Sequence, residues 1–353
     1  MPLDPRAEKI AAAMAAGFPP LGPDTDAADV RRALESNPIP DIEPLPVGRV
    51  EDRTIPGPGG PLPIRLYWPQ TPPTDGTTAR PPGATSDQTA ERLQGAPTNG
   101  MTARSPGAAS DSGEAAQRLP VVVFFHGGGF VLCGLDSHDR LCRALTAGSG
   151  AIVMAVDYRL APEHPFPAAV EDARAAVAWA SRNAAALGGD PARLAVAGDS
   201  AGGALAASAC LHARDRGGPH VAFQLLIYPV TDAAQDTASY RDHAEGGFLT
   251  AAHMRWFWEQ YLSDPAQAAD PDASPLRADD LSGLPPACVL TAECDPLRDE
   301  GEAYAARLAE AGVPVQSRRF EGAFHGFASL DHVLPVAGEA QRIAAEALRN
   351  ALR

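Results

Sequence analysis

Arg193-Leu-Ala-Val-Ala-Gly-Asp-Ser200-Ala-Gly-Gly203 is the stretch on which the fold turns. Residues 193–199 read as a short apolar strand and residues 201–216 as a helix, so Ser200 stands at the joint between them. In this G-x-S-x-G pattern the turn is so sharp that Gly198 and Gly202 must lack side chains for strand and helix to approach. The turn lifts the Ser200 Oγ above the strand end, and the helix N-terminus adds a field that favours a developing anion. A glycine-rich joint of this kind also suits phosphate binding, so the flanking sequence has to decide between the two.

Outward from the joint, apolar and helical runs alternate. LPVVVFF (119–125), AIVMAVDY (151–158), VAFQLLIYPV (221–230), ACVLTAE (287–293) and PVQSRRF (314–320) read as strands. Near-continuous apolar strands belong to a sheet covered on both faces. Helical runs lie between them, at about 137–148, 168–187, 201–216, 298–312 and 336–352, with Ala169, Ala173, Ala176, Val177 and Ala180 at helical spacing. The alternation predicts an α/β fold with a mostly parallel sheet and right-handed crossovers. Two further strand-like runs, 49–55 and 63–68, open a main domain spanning 46–353. Residues 1–45 read as one or two short helices broken by Pro19, Pro20, Pro38 and Pro40. Residues 232–268 interrupt the alternation with an aromatic helical segment at 254–261, and together with residues 1–45 they form the expected lid.

Residues 71–118 are of another character. TARPPGATSD begins at Thr78 and TARSPGAASD at Thr102, a tandem repeat offset by 24 residues, and the next echo is offset by 26. Leu93 and Met101 are the segment's large apolar side chains, too few to offset its ordering entropy, so a disordered insertion is expected.

His126-Gly-Gly-Gly-Phe130 follows the strand at 119–125. Three consecutive glycines expose backbone amides at the carboxyl end of a strand, where open α/β sheets bind ligands. The amides of Gly127, Gly128 and Ala201 are the expected oxyanion hole. Ser200 needs a base, and nine histidines compete. The chain order serine, acid, histidine excludes His126, His138 and His164. His212 falls within a helix, His220 precedes a strand, and His243 and His253 lie in the lid. His325, in Glu321-Gly-Ala-Phe-His-Gly-Phe327 directly after a strand, is the expected base. Asp295, after the strand at 287–293, is the expected acid. Glu293 should point to the other face by strand alternation, and Asp299 is placed as a helix cap.

HGGGF at 126–130, GDSAGG at 198–203, DPLRDEG at 295–301 and FHGF at 324–327, with Tyr158–Glu163, Phe166-Pro167 and Asp172, resemble the bacterial hormone-sensitive-lipase family of esterases within the α/β-hydrolases. The resemblance covers residues 120–353 and, less strongly, 1–70. It implies a cofactor-free carboxylesterase for short- to medium-chain esters, with Ser200, His325 and Asp295 catalytic and a helical lid. A lactonase, amidase or formamidase would use the same triad. A non-catalytic small-molecule receptor on this scaffold is the reading from another class. The long connection at 71–118 departs from the family.

The aromatic residues of the insertion (Phe248, Trp256, Phe257, Trp258, Tyr261) either line an acyl pocket or form the lid's own core. Phe248 and Trp256, with Phe130, are the expected substrate contacts. Glu163, His164 and Asp172 invite a metal, and Asp199 invites a second acid, but buried hydrogen bonding is expected of them and no metal site. A net charge of −15 argues against nucleic acid as a partner. Cys133, Cys142, Cys210, Cys288 and Cys294 form no C-x-x-C pair, which suggests reduced thiols, with Cys294 buried and inert. No apolar run is long enough to span a membrane, and Ile10–Phe18 lacks the positive flank of a signal peptide, so a cytoplasmic location is expected. A homo-oligomer is compatible with the sequence.

Overall fold

A computed structural model of the chain describes residues 3–22, 24–36, 42–70, 118–245 and 247–353. The expectation of a disordered insertion at 71–118 lies, apart from Arg118, outside the described residues.

Eight strands form one sheet: β1 (Arg49–Gly57), β2 (Gly60–Trp68), β3 (Leu119–Phe125), β4 (Ile152–Val156), β5 (Gly189–Asp199), β6 (Phe223–Ile227), β7 (Ala287–Cys294) and β8 (Val315–Phe324). Their spatial order is β1-β2-β4-β3-β5-β6-β7-β8. The pairs β1–β2 and β2–β4 are antiparallel, and the other five pairs are parallel. The helices are α1 (Pro5–Gly17), α2 (Ala27–Ser36), α3 (Asp139–Ser149), α4 (Ala168–Asn183), α5 (Ala201–Asp215), α6 (Ala238–Asp242), α7 (Ala251–Tyr261), α8 (Arg298–Glu310) and α9 (Pro335–Ala351).

Strand alternation divides the core into two layers. Val121, Val123, Phe125, Met154, Val196 and Leu226 face a core closed by α4, α5, α7 and α8. Val122, Phe124, Val153, Ala195, Ala197 and Leu225 face the other, closed by α1, α3 and α9. Because both faces are covered, β3, β4, β6 and β7 are apolar nearly throughout, which is why no period-2 pattern shows in their sequences.

Between β4 and β5 the chain crosses from one side of β3 to the other. The carboxyl ends of β3 and β5 therefore lie side by side, with Phe125 in register with Gly198. At such a switch point the loops diverge and leave a crevice. The strand expectation for 314–320 is too short: β8 runs on to Phe324, and a register shift between Ala292 and Cys294 brings Phe324 opposite Cys294. Phe320, Ala323 and Phe324 are buried, and this continues the strand through the polar Glu321 and the turn-like Gly322.

The N-terminal helices pack on the main body. Asp4 caps α1 by accepting the amides of Arg6 and Ala7, while its own amide donates to the Gly322 carbonyl of β8. From α2, Arg31 donates to the carbonyls of Val131 and Ala161 and forms a two-pronged ion pair with Glu163. The insertion between β6 and β7 carries α6, α7 and short 3₁₀ turns at Pro265–Ala269 and Pro275–Arg277. Among the described residues, no helix is long and apolar enough to cross a membrane.

Candidate active site

Ser200 sits between β5 and α5 with φ 54° and ψ −121°, a strained conformation for a residue with a side chain. The surroundings hold it there. Its amide donates to the Ile227 carbonyl, and its carbonyl accepts from the amides of Gly203 and Val230. A Cβ on Gly198 would collide with the Gly202 carbonyl, and one on Gly202 with the Phe125 carbonyl. Both glycines are thus required by close backbone approach, as the motif suggests.

His325 follows β8 directly, and Asp295 follows β7. His325 Nε2 lies 2.9 Å from Ser200 Oγ, and His325 Nδ1 lies 2.7 Å from Asp295 Oδ2. The other carboxylate oxygen of Asp295 accepts the Leu297 amide at 2.9 Å. Asp295 is fully buried, while Ser200 and His325 keep 6% and 7% exposure. Tyr228, at the end of β6, lays its ring 4.7 Å from the His325 ring. These three side chains, 125 and 30 residues apart in sequence, form one hydrogen-bonded line. A serine aligned on an imidazole, itself oriented by a carboxylate, can give up its proton and act as a nucleophile.

The glycine loop after β3 departs from expectation in one respect. The Gly127 amide donates to Asp199 Oδ1 at 2.9 Å and is not free to meet a substrate. Among the described residues, the amides of Gly128, Gly129 and Ala201 make no hydrogen bond within the chain. Gly128 and Gly129 have φ of 114° and 61°, and a Cβ on Gly129 would overlap the Phe257 ring. The Gly128 carbonyl accepts from the amides of Val131 and Leu132, closing the loop behind them.

The three expected substrate contacts part company. Phe130 is 3% exposed and stacks on Tyr261 with centroids 3.9 Å apart, so it anchors the loop from inside the core. Trp256 is 2% exposed and packs edge-on against Phe257. Of the three, Phe248 borders the Ser200–His325–Asp295 line: its ring is 3.8 Å from where a Gly326 side chain would begin, and it packs edge-on against Phe18. Phe257 is the aromatic that reaches the glycine loop. In a helix where five of eight residues from Met254 to Tyr261 are buried, spacing does not single it out.

Glu163 is taken up by Arg31, whose hydrogen bonds pull its carboxyl down to about 2. Asp172 accepts the Arg159 backbone and Nε, both at 2.9 Å. Asp199 pairs with His138, which chain order had removed from the list of bases. Among the described residues, no group of three or more His, Cys, Asp or Glu could hold a metal. Glu293 accepts the Gly322 amide at 2.8 Å. Asp299 is not the cap of α8: Leu297 occupies that position, and Asp299 accepts the Ser239 amide instead. Cys294 is 7% exposed and burial pushes its thiol up, in keeping with an inert thiol.

A family profile for the alpha/beta hydrolase fold matches residues 122–329. Esterase LipI of Mycobacterium tuberculosis is 41% identical over 328 residues, 92% of this chain and 88% of the relative. Carboxylesterase NlhH of the same species is 38% identical over 340 residues, 95% and 93% of the two chains. Among solved structures, a hyperthermophilic esterase from the archaeon Pyrobaculum calidifontis superposes with a TM-score of 0.83 at 41% identity, covering 99% of each chain.

Proposed function

Because the chain belongs to the hormone-sensitive-lipase family of esterases within the α/β-hydrolases, it is a carboxylic ester hydrolase, and we propose that Ser200, His325 and Asp295 carry out the reaction. The observation that carries this reading is the 2.9 Å contact of Ser200 Oγ with His325 Nε2, backed by the 2.7 Å contact of His325 with Asp295. Ser200 Oγ attacks the ester carbonyl carbon as its proton passes to His325 Nε2. Asp295 holds the Nδ1 proton and stabilises the imidazolium. The carbonyl oxygen becomes an oxyanion, which we assign to the amides of Gly128, Gly129 and Ala201, with Gly127 serving as the loop's anchor. Each such donor contributes about 3–4 kcal/mol in comparable sites. Collapse of the intermediate breaks the C–O bond to the alcohol, which takes the proton from His325 and leaves an acyl-serine. A water then repeats the attack, with His325 again as base, and releases the acid.

The substrates we assign are esters of short to medium acyl chains. Phe248 and Phe257 border the line, and the Phe18–Phe248 and Phe18–His253 contacts (both 5.6 Å) tie the N-terminal segment to the insertion. These segments act as the lid and limit acyl length. The location we assign is the cytoplasm, on the strength of a cysteine set whose spacing holds no C-x-x-C pair and no disulfide framework. A series of nitrophenyl esters from acetate to palmitate tests the substrate class. By resemblance to the family, the expected optimum lies between about four and eight acyl carbons; each buried methylene adds at most ~0.8 kcal/mol until the pocket is full. A maximum at the longest chain, or activity on emulsified long-chain triglycerides, contradicts it. Ser200→Ala should bring every ester in the series to background.

A further inference from the structure

The glycine loop after β3 is a strained turn. Gly128, Gly129 and Phe130 follow one another at φ 114°, 61° and 64°, and Cys133 stands at φ 72°. For Phe130 and Cys133, which carry side chains, this region is costly, so ties from outside must keep the turn in place. From the main body, Asp199 takes the Gly127 amide, Tyr261 stacks on the Phe130 ring, and the Ala161 amide donates to the Phe130 carbonyl at 2.9 Å. A further tie comes from the N-terminal segment: Arg31 of α2 donates from Nε to the Val131 carbonyl at 2.8 Å.

Arg31 closes a ring of hydrogen bonds. Its Nη2 donates to the Ala161 carbonyl at 2.6 Å, so one guanidinium spans two stretches of chain already joined by the Ala161–Phe130 bond. Val131 and Ala161 are both 0% exposed, and among the described residues neither carbonyl accepts another hydrogen bond. Without Arg31, two buried acceptors lose their donor where water does not reach them. The Val131 carbonyl is also mechanically linked to the oxyanion donors. It shares a planar peptide unit with the Leu132 N–H, which donates to the Gly128 carbonyl at 2.8 Å. The Gly128 carbonyl in turn shares a planar unit with the Gly129 N–H, one of the amides assigned to the oxyanion. Both units are trans, so carbonyl and N–H point in opposite directions and turn together. Arg31 is thus two hydrogen bonds and two rigid planes away from the Gly129 N–H.

We propose that Arg31 is a positioning residue, which from α2 sets the peptide planes that aim the Gly129 amide, so that seating the N-terminal segment completes the oxyanion hole. The catalytic role rests on the esterase reading, but the seating of the loop by Arg31 does not, and the two are tested apart. Hydrogen exchange read by mass spectrometry tests the seating. In Arg31→Leu, peptides covering residues 126–132 should exchange about tenfold faster than in wild type, as expected when a buried hydrogen-bond network is broken. In Glu163→Gln, which removes the charge partner of Arg31 and leaves both carbonyl bonds, the same peptides should stay within about threefold of wild type. Unchanged exchange in Arg31→Leu overturns the proposal, whatever the enzyme hydrolyses.

Kinetics test the consequence. With nitrophenyl butyrate, kcat per fluorophosphonate-titrated site should fall about 10- to 100-fold in Arg31→Leu, somewhat less than loss of a whole oxyanion donor, while KM moves less than about threefold. A trifluoromethyl ketone, whose tetrahedral adduct places an oxyanion in the hole, should lose affinity by the same factor as kcat. Arg31→Lys offers a point charge that does not span two carbonyls and should lose at least about fivefold in kcat; it carries the test if Arg31→Leu does not fold. Glu163→Gln breaks the same ion pair and should keep kcat within about threefold, which separates lost stability from lost positioning. Wild-type kcat in the Arg31 variants, or a fall in Glu163→Gln as deep as in Arg31→Leu, would refute the proposal. A wild type that hydrolyses no ester would instead defeat the esterase reading, and the exchange result would still decide the seating.

Discussion

Asp295→Asn is the substitution whose outcome the geometry determines most closely. Asp295 is fully buried and has two obligations: Oδ2 accepts from His325 Nδ1 at 2.7 Å, and Oδ1 accepts the Leu297 amide at 2.9 Å. An asparagine has one acceptor oxygen and one NH₂ to place. If its oxygen faces His325, its NH₂ abuts the Leu297 N–H, donor against donor, in a site closed to water. If its oxygen faces Leu297, its NH₂ donates to His325 Nδ1. The second arrangement satisfies every group, so the Leu297 amide selects it. His325 then carries its proton on Nε2 and cannot accept one from Ser200. A wrong tautomer of this kind lowers kcat by about 10⁴ in the serine-protease case, equivalent to about 5.5 kcal/mol of transition-state stabilisation. Steady-state hydrolysis of nitrophenyl butyrate at neutral pH should show a loss of about 10³–10⁴ in kcat, with the melting temperature changed by only a few degrees. A variant within tenfold of wild type would refute the reasoning and remove Asp295 from its assigned role.

Burial pushes the Glu300 carboxyl well above its ordinary range, although the Thr231 and Asp232 amides donate to it. Its folded-state pKa is raised, so wild-type stability is fully present below the unfolded value and declines as pH rises toward the folded one. Glu300→Gln keeps the acceptor and cannot ionise, so its melting temperature relative to wild type should rise from pH 4 to pH 8; a fall over that interval would contradict the sign. Phe257→Ala removes a side chain only 7% exposed and should cost about 3–5 kcal/mol in urea unfolding. Because the ring covers Gly129, the variant should also shift acyl preference toward longer chains, and an unchanged profile would take Phe257 out of the pocket. Replacing the 48 residues 71–118 by about six should leave turnover intact. Trp68 Nε1 donates to the Leu187 carbonyl and the Leu119 amide to the Gly188 carbonyl, so both strand ends hang on one turn. They flank β4, two strand spacings or about 10 Å apart, which six extended residues cover. Loop closure should become easier by about 1.8 kcal/mol, and a folded deletion variant that loses its turnover would make the segment part of the site.

The central strands and the Ser200–His325–Asp295 line are legible in the sequence because their causes are local. Val121 to Phe125 is a buried strand on composition alone, and Gly198 and Gly202 are dictated by a turn only glycine permits. His325 and Asp295 follow from chain order and from standing just past strands. What is hidden depends on partners distant in sequence. Nothing in HGGGF says that Asp199, 72 residues on, takes the Gly127 amide and leaves the later glycines free. Aromatics near a site serve equally as pocket or core, and the sequence does not show that Phe130 stacks on Tyr261 or that Trp256 packs on Phe257. The end of β8 is obscured by Glu321 and Gly322, which break an apolar pattern that pairing with Cys294 continues. His138 drops out of any search for the base, yet the same buried carboxylate that anchors the glycine loop is its partner.

Covalent labelling tests the central claim most directly. A fluorophosphonate reacts only with a serine activated by its base, and peptide mass spectrometry then locates the adduct. The account predicts one equivalent of probe on Ser200 in the wild type, slow labelling in His325→Ala and none in Ser200→Ala. An adduct on any other residue, or labelling that persists in Ser200→Ala, would place the nucleophile elsewhere and contradict it.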